Sequence, residues 1–99
     1  MTRNEILQRL GEMKKRYEKE GFELLGIFGS VAEGTADRFS DLDIAYRIDY
    51  DRFSKTYRDG FSKILRIDEI RKELEEEFHQ KVDLVSGKNE TVVEKMIHV

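Results

Sequence analysis

The chain has 99 residues, 38% hydrophobic and 39% charged, with a formal net charge of −3 and no Cys. That is enough for one domain over 1–99 with one modest core, and the acidic balance argues against a general nucleic-acid binder, which carries a basic excess. The missing Cys excludes disulfides and thiolate metal sites, and no apolar run approaches a membrane span or a signal-peptide core, so the expected location is the cytoplasm.

Thr2 or Asn4 is placed to cap a first helix, in which Ile6, Leu7, Leu10, Met13 and Tyr17 recur at helical spacing, and Gly21 is a natural stop. Phe-Glu-Leu-Leu-Gly-Ile-Phe over 22–28 reads as a buried strand. Residues 29–35 read as a tight turn into a short helix that ends near Gly34, and 37–40 as a polar loop. A second strand is expected over 42–48, with Leu42, Ile44, Tyr46 and Ile48 on one face. Residues 49–60 admit two readings, a loop or a partly helical excursion. Within them Asp49 and Asp51 read as a solvated loop, and Tyr50, Phe53 and Tyr57 form either part of a partner surface or a small satellite core. The longest helical pattern covers 61–78, with Ile64, Ile67, Ile70, Leu74 and Phe78 as its apolar stripe and Glu75-Glu76-Glu77 on a solvated face. A short third strand follows over 81–86, then a break at Gly87 and a final helix over 90–98. The fold class is therefore α+β in two layers. Its order is α-β-α-β-α-β-α, with a small mixed three-stranded sheet covered by helices on one face and a site left to the other face or the strand ends.

Chemistry concentrates in three places. Asp41 and Asp43 are one residue apart at the mouth of a strand, so both point to the same side while Leu42 and Ile44 point to the other. Two like charges side by side repel unless a cation lies between them, which suits Mg²⁺ with its preference for oxygen ligands and substrate phosphates. In Lys81-Val82-Asp83-Leu84-Val85, Asp83 lands on the face of Asp41 and Asp43 provided that Val82 and Leu84 join the core with Leu42 and Ile44. Three carboxylates can hold two divalent ions, the arrangement for an in-line displacement at phosphorus, and one of them can take a proton from the nucleophile. Gly29-Ser30, between a strand and a short helix, adds free backbone N–H groups and a hydroxyl suited to phosphate. Neither an EF-hand nor a Walker-type loop is present: the acidic spacing over 37–43 is wrong for the first, and Gly-Lys-Ser/Thr is absent. His79 reads as a helix-end cation and His98 as a frayed terminal residue, with Tyr46 on the core side of its strand.

Phe28-Gly29-Ser30-Val31-Ala32-Glu33-Gly34, then Ser40-Asp41-Leu42-Asp43-Ile44, resembles the signature of the DNA polymerase β-like nucleotidyltransferase superfamily: Gly-Ser, ten residues, Asp-x-Asp. It is most similar to the minimal nucleotidyltransferases that pair with HEPN-domain proteins, and the strand around Asp83 resembles the one bearing the third family carboxylate. The resemblance implies that Gly29 and Ser30 hold nucleotide phosphates. It also implies that Asp41, Asp43 and Asp83 bind two Mg²⁺ ions, with Asp83 activating the acceptor hydroxyl. It further implies an antitoxin role, in which AMP passes from ATP to a tyrosine of a HEPN toxin partner. The departure is Glu33, where many relatives carry a basic residue. A carboxylate beside a triphosphate is repulsive by about 1 kcal/mol in water-like surroundings. Either Glu33 faces the site and weakens ATP binding, or it points outward and Arg38 or Arg47 supplies the positive charge. Two further readings follow: a module that neutralises the HEPN partner by occlusion without chemistry, and a subunit whose nucleotide pocket is completed by a partner or a second copy.

Overall fold

The computed structural model describes residues 1–34, 41–87 and 96–99. The elements run α1 (Arg3–Glu18), β1 (Phe22–Phe28), α2 (Gly29–Glu33), β2 (Leu42–Ile48), α3 (Tyr50–Thr56), α4 (Gly60–Phe78), β3 (Val82–Ser86) and β4 (Ile97–His98). The expected α+β class holds, with one mixed sheet in the order β3-β2-β1-β4. The β1–β2 and β1–β4 pairs are antiparallel, and β2–β3 is parallel. The parallel pair requires a crossover, which α3 and α4 supply. Among the described residues no helix is long and apolar enough to cross a membrane.

Local chemistry explains where the helices begin. Thr2 caps α1, its hydroxyl accepting from the Glu5 N–H at 3.2 Å. Asp59 caps α4 by accepting from the Ser62 N–H at 2.6 Å. The helical spacing then puts Ile6, Leu10, Met13 and Tyr17 of α1, and Ile70, Leu74 and Phe78 of α4, into the main core. They meet Phe22, Leu24 and Ile27 of β1, Leu42 and Ile44 of β2, and Val82 of β3, so the helices cover one face of the sheet. Tyr46 lies on this side as expected, stacked on Phe22 with ring centroids 5.0 Å apart. The other face carries a small cluster of Ala45 and Met96 with Leu25, Phe28 and Val85 packed against it.

Several expectations meet the structure differently. Residues 49–60 take the partly helical reading, as α3, but Phe53 and Tyr57 join the main core and not a satellite one, and Asp49, read as a solvated loop residue, caps α3 by accepting from the Arg52 N–H. The expected final helix over 90–98 is not what 97–98 form. Residues 90–95 lie outside the described ones, and Ile97 and His98 pair with β1 as a fourth strand. Gly26 admits that strand, since a Cβ there would stand 2.1 Å from the Ile97 carbonyl oxygen, and β1 is bulged beside it, between Leu24 and Gly26. His98 is thus paired in a sheet instead of frayed. Ile64 is 66% exposed, not part of the buried stripe. At about 100° per residue it lies roughly 120° round α4 from Ile70, and the face continuous with Ile70 carries Lys63 and Arg66 in the first turns. Finally, the Glu75 side chain is not simply solvated, because it accepts from the Val82 N–H at 3.0 Å and pairs with Arg71 at 2.8 Å.

A polar network locks the crossover to α1. Arg66, its side chain only 16% exposed, bonds Glu20 at 2.7 Å and Glu73 at 3.0 Å. The Tyr17 hydroxyl donates to Glu73 at 2.9 Å and the Tyr57 hydroxyl donates to Glu20. The Arg66 guanidinium holds the Glu20 carboxyl below the usual carboxylate range, against the opposing effect of burial. Burial and the bond to Glu73 push the Tyr17 phenol up. At the other end of α4, His79 adopts the left-handed conformation (φ +53°) that ends the helix, a structural position as the sequence suggests.

Candidate active site

Register builds the site. In the antiparallel β1–β2 pair Phe28 lies opposite Asp43, so the chain leaves β1 directly beside the first acidic residue of β2. Gly29 makes that exit with φ +74°, and a Cβ at this position would stand 2.3 Å from Oδ2 of Asp43. Both the backbone angle and the contact demand glycine. The turn therefore rests on a carboxylate with no side chain between them. Ser30 follows as the second residue of α2, and Val31 and Ala32 anchor that short helix in the core.

The parallel β2–β3 pair supplies the second acidic group. Leu42 pairs with Val82, Asp43 with Asp83 and Ile44 with Leu84. Since the buried Leu42, Ile44 and Val82 and the half-buried Leu84 face the helices, Asp43 and Asp83 share the opposite face. This is the facing expected from the sequence. Adjacent strands stand about 4.8 Å apart. The Asp43 carboxyl is half-buried and pushed above the usual carboxylate range, first by burial, then by the Asp83 charge, then by the Asp41 charge. Asp41 itself is exposed, just before β2.

The donor set suits a hard cation: three carboxylates, two of which raise the proton affinity of the third, a repulsion that a divalent ion removes. The side chains as they stand do not close around one ion, because among the described residues no three acidic, His or Cys groups are arranged to hold a metal.

The positive charge expected from Arg47 is not at this site. Arg47 pairs with Glu23 at 2.6 Å, four residues beyond Asp43, about 13 Å along the strand. Arg38 lies outside the described residues. Glu33 is exposed at the end of α2. Two neighbours of the site went unnoticed in the sequence. Phe28 joins the small cluster on the open face, beside Asp43 in register. Arg3, at the start of α1, donates from Nη1 to the Ala32 carbonyl oxygen at 2.8 Å. Simple alternation from Phe22 and Leu24 would put Phe28 on the core side, and only the bulge between Leu24 and Gly26 turns it to the open face; likewise nothing local to Arg3 points across 29 positions to α2.

A family model described as a nucleotidyltransferase domain matches residues 4–98. No curated protein and no solved structure matches the chain.

Proposed function

The chain belongs to the nucleotidyltransferase domain family, and we propose that it moves AMP from ATP to a protein hydroxyl, a tyrosine of a HEPN-type toxin partner, which is thereby silenced. What supports this reading is the Gly29 turn set on the Asp43 carboxylate, with Asp83 paired across from it. In this reading Gly29 and Ser30 receive the triphosphate, and Asp41, Asp43 and Asp83 hold Mg²⁺. When bound, the metal neutralises phosphate charge and lowers the barrier to displacement. The acceptor hydroxyl oxygen attacks the α-phosphorus while the bond from phosphorus to the bridging oxygen breaks. The configuration inverts, and pyrophosphate leaves with the electron pair. The Asp83 carboxylate accepts the hydroxyl proton.

The test is incubation of the purified chain with labelled ATP, Mg²⁺ and the product of the adjacent reading frame. Label should appear on that product and vanish with Asp41→Asn. A second reading is neutralisation by occlusion alone, in keeping with carboxylates that as they stand do not close around one ion among the described residues. It is favoured if the partner is inhibited equally well by Asp41→Asn and remains unlabelled.

A further inference from the structure

We infer that Arg3 is a positioning residue for the nucleotide site, gripping the far end of α2 and so fixing the Gly29 turn; this rests on the reading above, in which that turn carries the phosphates. The Arg3 guanidinium reaches from the first turn of α1 to the Ala32 carbonyl oxygen, 2.8 Å from Nη1. The last four carbonyls of any helix lack partners within it, and α2 has only five residues, so nearly all of its carbonyls depend on outside donors. A helix this short has no stability of its own. Its placement comes from the burial of Val31 and Ala32 and from what holds its backbone.

The sign of the charge supports the same conclusion. A cation at the start of α1 opposes that helix's dipole, whereas the same cation at the end of α2 complements the other. The α1 terminus already has its cap in Thr2 and an acidic side chain in Glu5. Arg3 is therefore explained by where its head group goes, not by where its backbone sits. Gly29 and Ala32 are separated by less than one helical turn, so a shift at the carbonyl carries to the turn resting on Asp43.

The experiment measures Mg·ATP binding by calorimetry for the intact chain and for Arg3→Ala, Arg3→Lys and Ser30→Ala. Amide hydrogen exchange of α2 and melting temperature are followed in parallel. Losing one charge-assisted bond should weaken Mg·ATP binding about tenfold in Arg3→Ala. Exchange should speed up in α2, and Arg3→Lys should recover most of the affinity. The melting temperature should fall by about 4–8 °C. Unchanged affinity in Arg3→Ala, alongside weakened binding in Ser30→Ala, removes the role of Arg3 and leaves the phosphate reading intact. Loss of affinity that merely tracks a large drop in melting temperature, with no recovery in Arg3→Lys, also overturns it. If the unaltered chain does not bind Mg·ATP, or Ser30→Ala binds as well as it does, the phosphate reading itself falls and takes this inference with it.

Discussion

Replacing Asp43 with Asn should stabilise the metal-free chain at neutral pH. Asp43 is half-buried and faces Asp83 across neighbouring strands, and its carboxyl is raised above the usual range by burial and by the charges of Asp83 and Asp41. Two carboxylates about 5 Å apart repel by about 0.8 kcal/mol in water and about 3 kcal/mol at an effective dielectric of 20. Because Asp83 is exposed, solvent screening favours the lower end, about 1 kcal/mol. For a domain of this size that is a rise in melting temperature of about 4–8 °C. The pH dependence has a definite sign. A carboxyl whose folded pKa is raised favours the folded state below the unfolded pKa, and that contribution is lost as pH rises through the folded value. The advantage of Asn should therefore be absent near pH 3, where Asp43 is protonated, and complete by about pH 7. The assay is thermal melting with chelator across that range, repeated with added Mg²⁺, which should raise the melting temperature of the unaltered chain more than that of Asp43→Asn. A variant that is less stable at pH 7, or equally favoured at pH 3 and pH 7, would refute the claim that the acidic residues repel one another here.

Gly29→Ala should cost about 1–3 kcal/mol in urea unfolding, because it puts a Cβ 2.3 Å from Oδ2 of Asp43 at a positive φ, and it should abolish nucleotidyl transfer; normal activity would contradict the packing of turn on carboxylate. Glu20→Gln should cost about 1–2 kcal/mol at pH 7, through its bonds to Arg66 and Tyr57. Since the Glu20 carboxyl is lowered, its contribution is present above the unfolded pKa and fades as pH falls through the folded one; an equal cost at pH 3 and pH 7 would argue against the ion pair. Glu33→Arg, at the exposed end of α2, should tighten Mg·ATP binding about fivefold in calorimetry if a charge near the triphosphate changes by two. Unchanged affinity would set Glu33 apart from the site.

Much of the fold was open to reading because its signals are local. The spacing of Ile6, Leu10, Met13 and Tyr17 marked the buried face of α1, and Phe22–Phe28 and Leu42–Ile48 were bounded as observed. Residues 49–60 resisted because a seven-residue helix offers too short a period, and Phe53 alone did not show which core it joins. The apolar Ile64 misled because it follows Phe61 at helical spacing, although the inner face of α4 at that level belongs to Arg66 and its acidic partners.

By itself the order of residues determined which side chains share a face. Alternation put Asp43 opposite Leu42 and Ile44, and it put Asp83 opposite Val82 and Leu84, because strand period is a property of the backbone. Only the tertiary structure decided that β2 and β3 run parallel with Asp43 level with Asp83, that β4 enters over Gly26, and that Arg3 reaches α2. These are contacts between segments far apart in the chain. Their choice follows from which surfaces bury each other best and where a backbone can approach, and no local pattern carries that information.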